Sequence, residues 1–251
     1  MSRLWLLGLI LAAAQAEDVA KGIKTVLDVT LPLADREAAV KTLARSKAGA
    51  QAMVALAEAE KFPEELKATA RFALAASPDP GARELGEKKL PRPKSRDGTP
   101  LPPIPDLVSR VGDSKSGARV FRRVEGPNCV ACHQIADEGK LVGPPLTTIG
   151  LKLSKEQLYE SILTPSAAIL MGYENWAVKL TSGDIKTGIK VEDTDDHVTL
   201  KDNQGEYVDI PASKIAEKKM LKLSMMPEEL TKAMTAQELV DLVEYLSTLR
   251  Q

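Results

Sequence analysis

The sequence predicts a mainly α-helical protein with a small antiparallel β insertion, preceded by a short helical-repeat-like arm. Three observations point there. Ala-rich segments with apolar residues at helical spacing fill residues 17–90. Alternating apolar and polar positions replace that period from Trp176 to Ile210. The chain then returns to a helical stripe of Leu239, Leu242, Val243, Leu246 and Leu249.

Residues 1–16 read as a secretory signal peptide. Arg3 supplies the positive start, Leu4 to Ala14 the apolar core, and Ala14-Gln15-Ala16 a small-x-small cleavage site. The apolar run falls well short of the roughly twenty residues that cross a bilayer, so no transmembrane segment is expected after cleavage. An exported protein follows, in the periplasm or an equivalent extracytoplasmic compartment. Over 17–90, Leu33, Val40 and Leu43, then Met53, Val54 and Leu56, then Leu66, Phe72 and Leu74 mark short helices. Pro63 and the Ser77-Pro78-Asp79-Pro80-Gly81 turn punctuate them. Helices that each bury one stripe need neighbours, which implies a small array of helical hairpins.

Pro91, Pro93, Pro100, Pro102 and Pro103 stand among Lys, Arg and Gly, a composition that makes 91–104 an extended linker. The second domain, 105–251, opens with a helix expected from about Asp106 to Val124. A later helix is capped by Ser154 with Gln157 three residues on, a capping box. Ser182-Gly183-Asp184, Asp193 to Asp196 and Asn203-Gln204-Gly205 divide the alternating stretch at about 176–210 into four expected short strands. Thr235 and Glu238 form a second capping box ahead of the terminal stripe.

The composition of the 251 residues, 43% hydrophobic and 27% charged, is that of a globular protein and excludes collagen and a multispan membrane protein. Charge is balanced in both halves: 15 basic against 13 acidic residues over 17–104, and 18 against 22 over 105–251. Nothing in that balance selects a nucleic acid as partner.

Both cysteines and one of the two histidines fall within five positions, Cys129-Val130-Ala131-Cys132-His133. This C-x-x-C-H string is the attachment sequence of c-type haem. Two thiols three positions apart can each add to a haem vinyl group, while the adjacent imidazole reaches the iron from the same side. Two other chemistries fit the residue types. A C-x-x-C disulfide or thiol redox pair suits an exported protein, although such pairs sit in a βαβ setting and a helix is expected here. A zinc site needs four ligands, which Cys129, Cys132, His133 and His197 could supply; His197, beside Asp195 and Asp196, has the setting of an exposed strand residue.

An electron-transfer haem takes a second axial ligand on the opposite face, and Met raises its potential relative to His. Met171, Met220, Met225, Met226, Met234 and His197 are candidates. Met226 is favoured because Pro227 follows it in a loop before the terminal helix. The other ring nitrogen of His133 needs an acceptor. Gly143-Pro144-Pro145-Leu146, ten residues on, can offer a carbonyl at Pro144 and an apolar wall at Leu146.

Together, Cys129 to His133, Gly143-Pro144-x-Leu146, the Met226-Pro227 loop and a terminal helix with Tyr245-Leu246 resemble a class I cytochrome c. Gly117 and Phe121 match the small and aromatic pair that in that family crosses the terminal helix, near Leu242 and Tyr245 here. The strings Gly143-Pro144-Pro145-Leu146-Thr147-Thr148-Ile149-Gly150, Glu160-Ser161-Ile162-Leu163-x-Pro165-Ser166, Gly172-Tyr173-Glu174 and Ser224-Met225-Met226-Pro227 are similar to the Planctomycete-type haem-binding domain, which carries a strand-rich insertion before its Met loop. The resemblance covers 105–251 well and 17–90 only loosely. It implies one covalent haem c with its iron, thioether bonds at Cys129 and Cys132, axial ligands His133 and Met226, and the Pro144 carbonyl on His133. The doubled Met225-Met226 departs from the pattern and leaves the register of that ligand open.

With both axial positions filled by protein, the iron can pass one electron but has no site for substrate. No Ser-His-Asp set, P-loop or dinucleotide fingerprint is present. The expected function is therefore that of an exported monohaem electron carrier rather than an enzyme, with a dehydrogenase or oxidase as redox partner. The alternative is an interaction or redox-sensing protein whose arm and insertion bind a partner.

Overall fold

The computed structural model describes residues 2–90 and 92–250, with side chains from Gln15 onward. The Arg3 to Ala14 features of the expected signal peptide, and Pro91 of the linker, lie outside the described side chains. Two compact units are present: Met1–Arg92 with Pro100–Pro105, and Pro93–Thr99 with Asp106–Gln251. Among the described residues, no helix is long and apolar enough to cross a membrane.

The first unit holds five helices: α1 (Ser2–Leu27), α2 (Leu33–Leu43), α3 (Lys47–Glu58), α4 (Glu64–Ala75) and α5 (Pro80–Lys89). Ser46 caps α3 by accepting from Gly49 N, and Asp79 caps α5 by accepting from Ala82 N. Val26, Val40, Leu43, Met53, Leu66 and Leu74 form the core that joins them. Arg36 is 1% exposed, yet it is fully bonded. Its Nε and Nη2 donate to the Val26 carbonyl at 3.0 and 2.9 Å, and its Nη1 donates to Glu65 at 2.8 Å. The guanidinium thereby closes the C-terminal end of α1, where carbonyls lack helical partners and positive charge is favoured.

Beyond α6 (Ile104–Val108), whose residues from Asp106 on belong to it, the second unit contains α7 (Ser114–Arg122), α8 (Ile149–Lys152), α9 (Lys155–Leu163) and α10 (Ala236–Thr248). The single helix expected from about Asp106 to Val124 is instead two. Asp113 starts a new helix by accepting from Lys115 N, and its own N–H donates to Asp241 Oδ1 on α10 at 2.9 Å. Both capping boxes are formed, at Ser154 with Gln157 and at Thr235 with Glu238.

Helices α7 and α10 cross at van der Waals contact. A Cβ built on Gly117 would stand 1.9 Å from the Asp241 carbonyl oxygen, so only glycine allows the approach. One turn on, Phe121 meets Tyr245 edge to face, with ring centroids 6.1 Å apart and planes at 60°. Phe121, Leu239 and Leu242 are buried in this seam, each contributing roughly 1.5–3 kcal/mol of transfer free energy.

Glu238 serves the start of α10 three times over. Its carboxylate accepts from Thr235 N at 2.8 Å, from Arg123 at 2.5 and 3.3 Å, and from Arg96 at 3.2 Å. Arg123 also donates to the Ala233 carbonyl at 2.8 Å. The guanidinium of Arg123 holds the Glu238 carboxyl below its usual pKa.

Five antiparallel strands form one sheet: β1 (Asn175–Leu180), β2 (Ile185–Asp193), β3 (His197–Lys201), β4 (Tyr207–Pro211) and β5 (Ile215–Met220), in the order β4-β3-β2-β1-β5. The fifth strand lies beyond the expected 176–210. It is an edge strand, exposed along nearly its whole length, so Glu217, Lys218 and Lys219 carry no alternation signal. Val178, Val198, Leu200 and Ile210 make the core of the sheet.

Two stability tests follow. Gly117→Ala should lower the stability of the second unit by about 3 kcal/mol, because the methyl must separate two backbones; an unchanged urea midpoint, followed through Trp176 fluorescence, would refute the crossing. Glu238→Gln should cost about 1–2 kcal/mol at pH 7. Because folding lowers this pKa, the contribution exists above the usual carboxylate value of 4.5 and disappears as pH falls through the folded value. Urea midpoints of parent and variant should converge at acid pH; a gap independent of pH would contradict the charge pairing.

Candidate functional site

Cys129, Val130 and Ala131 form one 3-10 turn, entered through Asn128 at φ 47°. The turn is closed by Cys132 N and His133 N, which both donate to the Cys129 carbonyl, at 3.1 and 2.9 Å. Both sulfurs therefore belong to a single turn, and both are free thiols. Burial raises the two thiol pKa values, that of Cys129 to about 12. Reactive thiols of disulfide oxidoreductases are shifted the other way, so this turn lacks the electrostatics of a thiol redox pair.

The His133 ring is held from the chain segment that follows. Nδ1 lies 2.8 Å from the Pro144 carbonyl oxygen. A carbonyl can only accept, so Nδ1 carries the proton and Nε2 keeps its lone pair. Burial lowers the ring's pKa against the opposing pull of that hydrogen bond, which favours the neutral imidazole that a metal requires. The ring lies flat over Gly143, where a Cβ would be 2.6 Å from Cε1.

The segment carrying Pro144 is laced to the turn by its backbone. Lys140 N donates to the Val130 carbonyl at 3.1 Å, Gly143 N to Cys132 at 2.7 Å, and Leu146 N to Gln134 at 2.8 Å. Cys129, Cys132, His133, Pro144 and Leu146 thus lie on two segments bonded to each other. Met226 lies elsewhere in the chain, in the loop between β5 and the 3-10 segment Glu228–Ala233. Its N–H donates to Ser224 Oγ at 3.1 Å, and Ser224 N donates to the buried Ser166 Oγ at 3.1 Å. Met226 and Met225 are both half-buried.

His197 opens β3, where Nδ1 lies 3.1 Å from Thr194 Oγ1 and Nε2 lies 3.4 Å from Glu192. It does not join Cys129, Cys132 and His133: among the described residues no group of three or more His, Cys, Asp or Glu is placed to hold a metal ion. The zinc arrangement is not assembled.

Residues 114–199 match the family model described as cytochrome c. That stretch is similar to a cytochrome c domain. No curated protein matches the chain significantly. Among solved structures, the crystal structure of SoxXA from P. pantotrophus is similar at 20% identity, with a TM-score of 0.30, over 57% of this chain and 85% of that one. A cytochrome c domain implies covalently bound haem c with its iron and a role in electron transfer. The residues present fit that group. Two thiols share one turn, the next residue is a neutral imidazole with a free Nε2 lone pair, and a glycine clears the space beside its ring.

Two groups of residues around the site gave no local sequence signal. Arg123 and Arg96 reach Glu238, and Lys140 and Lys201 join the site loop to the sheet; their partners lie between 60 and 142 positions away. Only the position of Glu238 in a capping box was legible.

Proposed function

We propose that the chain is an exported monohaem c-type cytochrome that passes single electrons between partner proteins. The observation that carries this is the hydrogen bond from His133 Nδ1–H to the Pro144 carbonyl, which fixes the tautomer and leaves Nε2 with its lone pair. Cys129 and Cys132 would form the thioether bonds, His133 would be the proximal ligand and Met226 the distal one. Leu146 would be part of the apolar wall. When bound, the haem iron supplies a one-electron ferric/ferrous couple.

The chain's residues have defined tasks in that role. The Pro144 carbonyl keeps the imidazole oriented while burial of the ring keeps it neutral, so little reorganises when charge arrives. The Ser166–Ser224–Met226 hydrogen bonds fix the backbone of Met226, whereas none of them involves Met225; this favours Met226 as ligand. With both axial positions taken, no substrate coordinates, and the protein transfers electrons without catalysing a reaction of its own. The signal sequence over 1–16 would deliver the chain to the periplasm or an equivalent compartment, where a dehydrogenase or oxidase would be its redox partner. The strings from Gly143 to Gly150 and Ser224 to Pro227, with the sheet between them, support placing the domain near the Planctomycete-type haem-binding group.

Two experiments test this. Met226→Ala should remove the ferric charge-transfer absorption of a sulfur-ligated haem and lower the reduction potential; an unchanged spectrum would transfer the role to Met225 or another group. Replacing both Cys129 and Cys132 by Ala should allow acidified organic solvent to extract the haem, whereas haem that stays with the polypeptide would refute thioether attachment.

A further inference from the structure

The segment Lys140–Gly143 lies between two neighbours. On one side it bonds the C-x-x-C-H turn, through Lys140 N to Val130 and Gly143 N to Cys132. On the other it meets the tip of the β3–β4 hairpin. Lys201, the last residue of β3, donates from Nζ to the Leu141 carbonyl, and Lys140 Nζ returns a bond to the Gln204 carbonyl at 3.0 Å. Gly205, at φ 88° in the turn between the strands, sits over Val142 so closely that a Cβ would touch Val142 Cγ2 at 3.3 Å. Val142 is itself buried, at 3% exposure.

The two lysines are placed reciprocally, each side chain satisfying a backbone carbonyl of the opposite segment. Backbone carbonyls without a helical or strand partner are the groups that otherwise draw water into a loop. The ammonium of Lys201 also stands 5.9 Å from the Tyr173 ring centroid. Burial lowers its pKa, as expected for a lysine engaged with the protein rather than extended into solvent. Two residues beyond Val142 is the carbonyl of Pro144 that orients His133.

We infer that the β insertion is a brace for the proximal side of the site, with Lys201 as a positioning residue that holds Leu141–Pro144 against the C-x-x-C-H turn. The sheet thereby acts on His133 through the chain, not by touching it. The spectroscopic arm of the test rests on the haem reading above; the exchange arm does not.

The test uses the full chain, with Lys201→Met, Lys201→Arg as the conservative variant, and Lys179→Met, an exposed position on β1, as a control. Amide hydrogen exchange is followed residue by residue. Lys201→Met should accelerate exchange of the Lys140 and Gly143 amides by about tenfold or more while leaving Phe121 and Leu242 at parental rates; Lys201→Arg should bring the loop back to within about threefold of the parent. In haem-loaded protein the same variant should shift the reduction potential, and the Lys179→Met control should not. Loop exchange that stays at the parental rate, or acceleration shared equally by α7 and α10, would overturn the brace. Colourless protein whose loop exchange still responds to Lys201→Met would remove the haem reading and leave the brace standing.

Discussion

The contact between Gly117 and the Asp241 carbonyl sets the geometry of the second unit. A side chain at that point would separate two helices along their whole seam, and the edge-to-face packing of Phe121 on Tyr245 one turn later exists only because the backbones are already close. From that crossing the chain leaves α7 at Arg122 and Arg123, and both side chains fold back. Arg122 lies 5.8 Å from the centroid of the Tyr245 ring and pairs with Glu138 at 2.7 and 2.8 Å. Arg123 pairs with Glu238. The C-x-x-C-H turn therefore begins from a segment anchored at both arginines, and its position follows from the helix crossing rather than from its own few hydrogen bonds.

The proximal chemistry is compact because it is nearly all local. A turn closed by the Cys129 carbonyl, a ring held eleven residues downstream, and three backbone bonds between the two segments make the direct contacts that orient one imidazole. Proton placement on Nδ1 comes from the bond to Pro144, and neutrality of the ring comes from its burial, which outweighs the opposite pull of that bond. A carbonyl acceptor selects the tautomer without adding a second charge to a buried site, where an unpaired charge would be costly.

That locality explains what was legible in the sequence. The helix starts at Ser154 and Thr235 could be read because a capping box spans four residues and both partners lie within it. The grouping of Cys129, Cys132, His133, Pro144 and Leu146 was legible for the same reason. The break between α6 and α7 was not, because it depends on Asp113 N reaching Asp241, 128 positions later. The fifth strand escaped because every residue from Ala216 to Met220 is exposed, so no buried face imposes a period of two. Lys140 and Lys201 were invisible as structural residues: a lysine that ends on a distant carbonyl looks, in sequence, like any lysine that ends in water.

The two sides of the site differ in how they are held, and the difference bears on function. On the His133 side, the ring and its supporting carbonyl lie on segments that are bonded to each other directly. On the side of the proposed ligand Met226, support comes through a relay of two serine hydroxyls, Ser166 to Ser224 and Ser224 to Met226, each accepting a single backbone N–H at 3.1 Å. Downstream, the 3-10 segment after Met226 is tied at its end, where Arg123 holds the Ala233 carbonyl and Arg96 N donates to Met234 at 2.8 Å. A loop held through two serine hydroxyls opens at lower free energy than a turn bonded to its neighbouring segment by three backbone hydrogen bonds. Local opening should therefore begin at Met226 while His133 stays in place.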